Sequence, residues 1–192
     1  SVKKTYLYVD VGGGSTEITL LKNGQRVKSR SFKVGAVRLL ESTVKDKVWN
    51  ELKDFIKSIV KVNDNVVSVG SGGSITKIFK EINHKPHDFI SYNEIEEFVK
   101  SMASFEFEER IEKFNLKPNR ADVIIFAGEI YLFVMKSAGS TNMIVPKMGV
   151  GDGIIKRLAL KHIWANSIVQ IELFLAVVAK IFAIVRSRNY DN

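Results

Sequence analysis

The sequence predicts an α/β fold, a mixed sheet opened by antiparallel strands and flanked by helices. Two short runs, residues 6–11 and 17–21, are apolar or alternating and are joined by a glycine-rich turn. Asn23-Gly24 then leads into a third run over residues 26–34, so three antiparallel strands come first. Beyond them, short apolar runs alternate with stretches whose apolar residues recur at helical spacing, as expected of strands and covering helices. With 192 residues, 45% of them hydrophobic, the chain can bury the core of a domain.

Gly35-Ala36-Val37-Arg38-Leu39-Leu40 starts a short helix, and Trp49, Leu52, Phe55, Ile56, Ile59 and Val60 form the apolar face of a second, with lysines opposite. Val66-Val67-Ser68-Val69 reads as a buried strand that runs into Gly70-Ser71-Gly72-Gly73-Ser74, after which Ile75, Ile78 and Phe79 continue in helical period. Asn93-Glu94-Ile95-Glu96 looks like a helix start, with Ile95, Phe98, Val99 and Met102 as its inner face. Residues 105–114 read as another short helix. Residues 123–135 are apolar nearly all round and too long for an average strand, which predicts a buried helix, with strand as the competing reading. Met143-Ile144-Val145-Pro146 is a short strand, followed by Gly149-Val150-Gly151-Asp152-Gly153 and a further helix through Leu158 and Ala159. We expect residues 1–162 to form one lobe and residues 163–192 to add an apolar C-terminal helix. Gln170, Glu172 and Lys180 interrupt the apolar stretch 168–185, so docking onto another lobe or a dimer partner is expected there rather than a membrane span.

The chemistry concentrates in Asp10-Val11-Gly12-Gly13-Gly14-Ser15-Thr16-Glu17. Glycine lets a ligand approach the backbone closely, and successive N–H groups in such a turn form an anion-binding concavity, to which the hydroxyls of Ser15 and Thr16 add donors. Asp10 and Glu17 would flank a bound phosphate, an arrangement that makes sense when a hard cation lies between them. Magnesium suits this, since it takes one or two carboxylates together with water and phosphate oxygens. A glycine hairpin without ligand is the alternative. The loop is neither a Walker sequence, lacking Gly-Lys-Ser/Thr, nor a dinucleotide fingerprint, since a strand rather than a helix follows. The second glycine turn, Gly70, Ser71, Gly72 and Gly73, opens a helix, where backbone N–H groups and the helix dipole favour an anion and glycine leaves room for a ring. A mere tight connection is the equal alternative there.

A net charge of +8 at pH 7 favours anionic partners, but the basic residues are dispersed and no nucleic-acid-binding signature is present, so no specific nucleic acid is expected. The absence of cysteine excludes disulfides and cysteine-based metal or redox sites. His84 and His87 lie in a loop near Pro86 and, like His162, are not expected to bind metal. No export signal precedes the first strand, so a cytoplasmic setting is expected. The abrupt start at Ser1 suggests either an artificial cut in the chain or a missing upstream domain.

Together these motifs resemble the exopolyphosphatase and guanosine pentaphosphate phosphatase family, Ppx/GppA. Residues 10–17 are similar almost letter for letter to that family's second phosphate motif. Gly35-Ala36-Val37-Arg38-Leu39, Gly70-Ser71-Gly72-Gly73-Ser74 and Asn119-Arg120-Ala121-Asp122-Val123-Ile124 agree in order and spacing, and Gly149-Val150-Gly151-Asp152-Gly153-Ile154-Ile155 looks like a variant of its closing glycine helix. The resemblance implies a ribonuclease H-like lobe of the actin-like ATPase fold, specifically the second of two lobes that close on a phosphate substrate. It implies Asp10 and Glu17 as catalytic, magnesium-holding residues and Gly12, Gly13, Gly14, Ser15 and Thr16 as the cradle of the terminal phosphates. Gly70, Gly72 and Gly73 would mark the nucleotide position of related folds. Polyphosphate or guanosine pentaphosphate would be the substrate, the first lobe would be a partner, and a homodimer is compatible with the family.

The first lobe's phosphate loop and the family's catalytic glutamate have no counterpart in this sequence, so the resemblance implies half an active site with little turnover of its own. For Arg38 the cleft and an internal salt bridge both stand, and for Arg120 an ion pair with Asp122 is expected. Two rival functions remain open: an ATP-binding lobe of a kinase or ATPase of the same fold, and a regulatory module that binds polyphosphate or an alarmone without cleaving it.

Overall fold

The computed structural model describes residues 5–61, 64–82 and 89–146. The helices expected beyond Gly149, the boundary at residue 162 and all three histidines lie outside the described residues.

Strand β1 (Thr5–Val11) pairs antiparallel with β2 (Thr16–Lys22), which pairs antiparallel with β3 (Gln25–Phe32). Asn23 and Gly24 close the second hairpin with φ of 53° and 77°, the doubly left-handed turn whose twist matches that of the flanking strands. Alternation along β1 buries Leu7, Val9 and Val11 on one face and leaves Tyr6, Tyr8 and Asp10 half-buried on the other. β3 is the exposed edge, with only Phe32 buried. The chain then forms α1 (Ala36–Leu40) and α2 (Asp46–Ile59) and returns as β4 (Val66–Ser71), parallel to β1. Leu52, Phe55, Ile56 and Ile59 are the buried stripe of α2, and Trp49 stacks at a tilt on Phe133 with ring centroids 4.5 Å apart.

Helix α3 (Gly73–Ile82) follows β4 directly. Next come β5 (Phe89–Ser91), α4 (Tyr92–Ala103), α5 (Phe107–Lys113) and the single turn α6 (Pro118–Ala121). The long α7 (Ile124–Ala138) leads through Gly139, at φ 65°, to β6 (Asn142–Ile144). The sheet order is β3-β2-β1-β4-β6-β5, with β6 parallel to β4 and β5 antiparallel to β6. This is the mixed α/β architecture expected from the sequence.

The run at residues 123–135 is helical, and the helix extends to Ala138. Its apolar surface runs nearly all round because it packs against α1, α2, α3 and α4 as well as β1 and β4, which is the environment of a core helix. Strand β5 and the turn α6 were not foreseen. β5 is three residues long and exists through its pairing with β6, more than fifty residues on in sequence, so local pattern carries no signal for it. The α4 start is also earlier than its sequence suggests. Ser91 caps the helix, its Oγ accepting from the Glu94 N–H at 3.2 Å while Glu94 Oε2 accepts from the Ser91 N–H at 2.7 Å, a reciprocal capping box.

Candidate phosphate site

Strand β1 ends at Val11, and β2 starts opposite it at Thr16, so residues 12–15 form the turn between them. The turn is tied inward through its carbonyls. Ala36 N–H donates to Gly12 O at 3.0 Å, Val37 and Arg38 N–H both donate to Gly13 O at 2.9 and 3.2 Å, and Arg38 Nε donates to Gly14 O at 2.8 Å. The first turn of α1 therefore consumes the carbonyls of all three glycines. The Gly12 N–H closes the turn onto Ser15 O at 2.9 Å. Among the described residues, the N–H groups of Gly13, Gly14 and Ser15 have no hydrogen-bond acceptor, and Gly13 and Gly14 are exposed. Three successive donors at an exposed turn are the ingredients of an anion nest.

Close packing explains the glycines. A Cβ on Gly35 would collide with the Gly13 carbonyl, and one on Gly13 would sit 3.0 Å from Val37 Cγ2. Thr16 is fully buried and gives its hydroxyl proton to Val34 O at 2.7 Å, so this hydroxyl ties β2 to the strand-to-helix corner. Ser15 stands half-buried at the rim.

Asp10 and Glu17 are direct partners across the β1–β2 ladder. Directly opposed residues share a face, with Cβ atoms about 4.5–5.5 Å apart, and like charges there repel. Asp10 Oδ2 accepts from Ser71 Oγ at 3.1 Å. Asp10 Oδ1 and both oxygens of the exposed Glu17 have no partner among the described residues. Two opposed carboxylates with free oxygens, beside a turn of free N–H groups, fit a hard cation that completes its shell with water and phosphate oxygens. Among the described residues no group of three or more metal-ligating side chains exists, so the protein alone does not enclose a metal there.

The second glycine turn lies at the same edge. Ser71, the last residue of β4, is the parallel partner of Asp10, so both turns sit at the carboxyl ends of adjacent strands, where open α/β sheets bind ligands. The four residues of this turn have different surroundings. Gly70 faces the core, where a Cβ would collide with Met143. Gly72, at φ +117°, lies against Asp10 and Tyr131. Gly73 opens α3 beneath the Arg120 guanidinium.

Arg120 is the residue that sequence reasoning misplaced. It makes no ion pair with Asp122. Its Nη1 donates to Ser74 Oγ at 3.2 Å, and a Cβ on Gly73 would be 2.6 Å from Nη2. The guanidinium, half-buried and with no carboxylate partner among the described residues, thus stands at the positive end of α3, beside the loop. The guanidinium and the α3 N-terminus together add positive potential beside the Asp10 carboxylate. The signal available in sequence was the chain Asn119-Arg120-Ala121-Asp122 itself, but its adjacency to Asp122 pointed the wrong way. Arg38 is likewise free of an ion pair among the described residues and serves the Gly14 carbonyl instead.

Beneath the site, Tyr131 of α7 is fully buried and donates its phenol proton to the Ser71 carbonyl. Burial pushes this phenol far above the usual tyrosine range, so the hydroxyl keeps its proton and acts as a donor.

A family model described as the Ppx/GppA phosphatase family matches residues 1–162. No curated protein matches the chain. Among solved structures, the Aquifex aeolicus member of the Ppx/GppA family is 26% identical, with a TM-score of 0.68 over 86% of this chain and 58% of that one. The type II variant of the Aquifex aeolicus Ppx/GppA phosphatase is 26% identical as well, with a TM-score of 0.65 over 80% of this chain and 56% of that one. An exopolyphosphatase from Cytophaga hutchinsonii, 17% identical, shares the fold with a TM-score of 0.67 over 82% of this chain and 57% of that one. The chain thus spans a little under three fifths of the length of these structures.

Proposed function

The chain belongs to the Ppx/GppA phosphatase family, and on that premise we propose that it is one lobe of an exopolyphosphatase-type hydrolase, binding the terminal phosphates of inorganic polyphosphate or guanosine pentaphosphate with magnesium. The observation that carries this reading is the polarity of the first glycine turn. Its carbonyls are bound by α1, while the N–H groups of Gly13, Gly14 and Ser15 are free among the described residues and Asp10 and Glu17 stand opposite each other in the ladder at its base.

On this reading the N–H groups of Gly13, Gly14 and Ser15 hold oxygens of the terminal phosphoryl group. Arg120 and the first turn of α3 draw in the following phosphates, and Asp10 and Glu17 would hold magnesium. Bound there, magnesium would neutralise charge on the phosphate oxygens and order a water. Hydrolysis adds water to the terminal phosphorus and breaks the bond from that phosphorus to the bridging oxygen, giving orthophosphate and a chain shorter by one unit. Such transfers depend chiefly on positioning and charge stabilisation. A general base completes the reaction. The resemblance assigns it to a glutamate without counterpart in this sequence, and this chain alone should bind without appreciable turnover. We place the protein in the cytoplasm, with a first lobe as its partner. Among the described residues no helix is long and apolar enough to cross a membrane, and the stretch 168–185 lies outside them.

Calorimetric titration of the chain with long-chain polyphosphate and, separately, ATP, each with and without magnesium, tests the proposal. Magnesium-dependent binding of polyphosphate in preference to ATP is the expected result, weakened at least about tenfold by Glu17→Gln. Preference for ATP would transfer the site to a kinase or ATPase reading, and an unchanged Glu17→Gln variant would overturn the site assignment. Competition by guanosine pentaphosphate distinguishes the two substrate classes.

A further inference from the structure

We infer that Ser71 and Tyr131 are positioning residues that fix the Asp10 carboxylate for a divalent cation through the chain of contacts Tyr131 to Ser71 to Asp10. The inference rests on the proposed magnesium site at Asp10 and Glu17, and it assigns work to two residues outside that pair.

The geometry is specific at each link. Ser71 and Asp10 are partners in the parallel β1–β4 ladder, which brings the Ser71 hydroxyl to Asp10 Oδ2 at 3.1 Å. This donation occupies one carboxylate oxygen and leaves Oδ1 without a partner among the described residues, so the carboxylate is held in one rotation with one oxygen available. Ser71 is the last residue of β4, where the ladder ends and the backbone needs another anchor. Its carbonyl receives the Tyr131 phenol proton, from a helix packed against most of the fold. Gly72 then turns the chain away at φ +117°, and a Cβ there would lie 3.3 Å from the Tyr131 hydroxyl and 3.4 Å from Asp10 Oδ1. The absence of that carbon keeps the free oxygen clear.

A phenol at a fully buried core position is costly unless its hydroxyl is satisfied. Phenylalanine would fill the same volume without that requirement. The hydroxyl donates to the carbonyl of the residue holding Asp10 and also meets the backbone of Val11, so it ties together the ends of β1 and β4 that carry the site. Outer partners of this kind orient the ligating group, and their removal commonly lowers metal affinity by about 10–100-fold.

The test measures magnesium affinity by calorimetry in the full chain saturated with long-chain polyphosphate, for the parent and for Ser71→Ala, Ser71→Thr, Tyr131→Phe and Asp10→Asn. Polyphosphate affinity is measured in parallel with a chelator present. Ser71→Ala should weaken magnesium binding about tenfold and Tyr131→Phe several-fold. Ser71→Thr, which keeps the hydroxyl, should restore it, and magnesium-free polyphosphate binding should stay within about twofold in the Ser71 and Tyr131 variants. A merely structural role would loosen the glycine turn and weaken the magnesium-free binding equally, and that result overturns the inference. Unchanged magnesium affinity in Ser71→Ala, with affinity lost in Asp10→Asn, overturns it while leaving the site itself standing. Unchanged magnesium affinity in Asp10→Asn removes the site and the inference together. Circular dichroism identifies any variant that does not fold, and the comparison of Ser71→Ala with Ser71→Thr decides the question without Tyr131→Phe.

Discussion

The Arg120 guanidinium lies over the Gly73 backbone, so close that a methyl group on Gly73 would overlap it. The charge is thereby fixed at the start of α3, one residue beyond the turn that approaches Asp10. In the sequence the two residues are far apart, and only the docking of α6 and α7 against α3 brings them together.

If Arg120 draws in the phosphate chain, Arg120→Ala should weaken polyphosphate binding about tenfold, or about 1.4 kcal/mol, and should flatten its salt dependence. Arg120→Lys should recover part of this, because an ammonium replaces charge without the planar fork. Calorimetry at several salt concentrations checks the point, and an unaltered affinity and salt slope in Arg120→Ala would remove Arg120 from the site.

Gly35 is extended, with φ −147°, so its need for glycine is spatial rather than conformational. Gly35→Ala drives a carbon into the Gly13 carbonyl, and neither backbone can yield without breaking the α1 contacts with the turn. We expect a loss of about 3 kcal/mol in urea unfolding, together with weaker phosphate binding. A variant as stable as the parent would show that the turn is not held by α1.

Ser91→Ala removes the N-cap of α4 at a place remote from the glycine turns. The expected cost is about 1 kcal/mol of stability, seen in thermal or urea unfolding, with polyphosphate binding unchanged. Loss of binding in this variant would mean that α4 communicates with the site.

Lys22 Nζ lies 2.8 Å from Asp64 Oδ2 and holds that carboxyl below its ordinary range. A depressed folded-state value means that the stabilisation is present above the unfolded carboxyl value, about 3.9, and is lost as pH falls through the lower folded one. Asp64→Asn should therefore be less stable by about 0.5 kcal/mol near pH 7, and the difference should fade as pH falls through the lowered folded-state value of the carboxyl. Unfolding curves across that range test the sign, since a difference that grew in acid would contradict the pairing.

Much of the fold is legible because burial and period coincide. Leu52, Phe55, Ile56 and Ile59 announce α2, and Ile95, Phe98, Val99 and Met102 announce α4, since each set repeats along one helical face and each proves buried. Asn23-Gly24 announces its hairpin because few other pairs occupy two left-handed positions readily. β5 is different: Phe89 is exposed, Ile90 is buried, and its partner strand follows an entire helical layer.

By itself the sequence determined the order of the longer elements, the antiparallel opening of the sheet and the glycine turn framed by Asp10 and Glu17, because these depend on local period, turn chemistry and spacing along one chain. Tertiary structure decided which atoms of those turns are free. The α1 helix takes the loop carbonyls, Thr16 turns to the interior, Gly70 faces Met143, and Arg120 reaches Gly73 rather than Asp122. Hydrogen-bond capacity is settled by whichever neighbours the packing supplies, and those neighbours come from segments distant in the sequence.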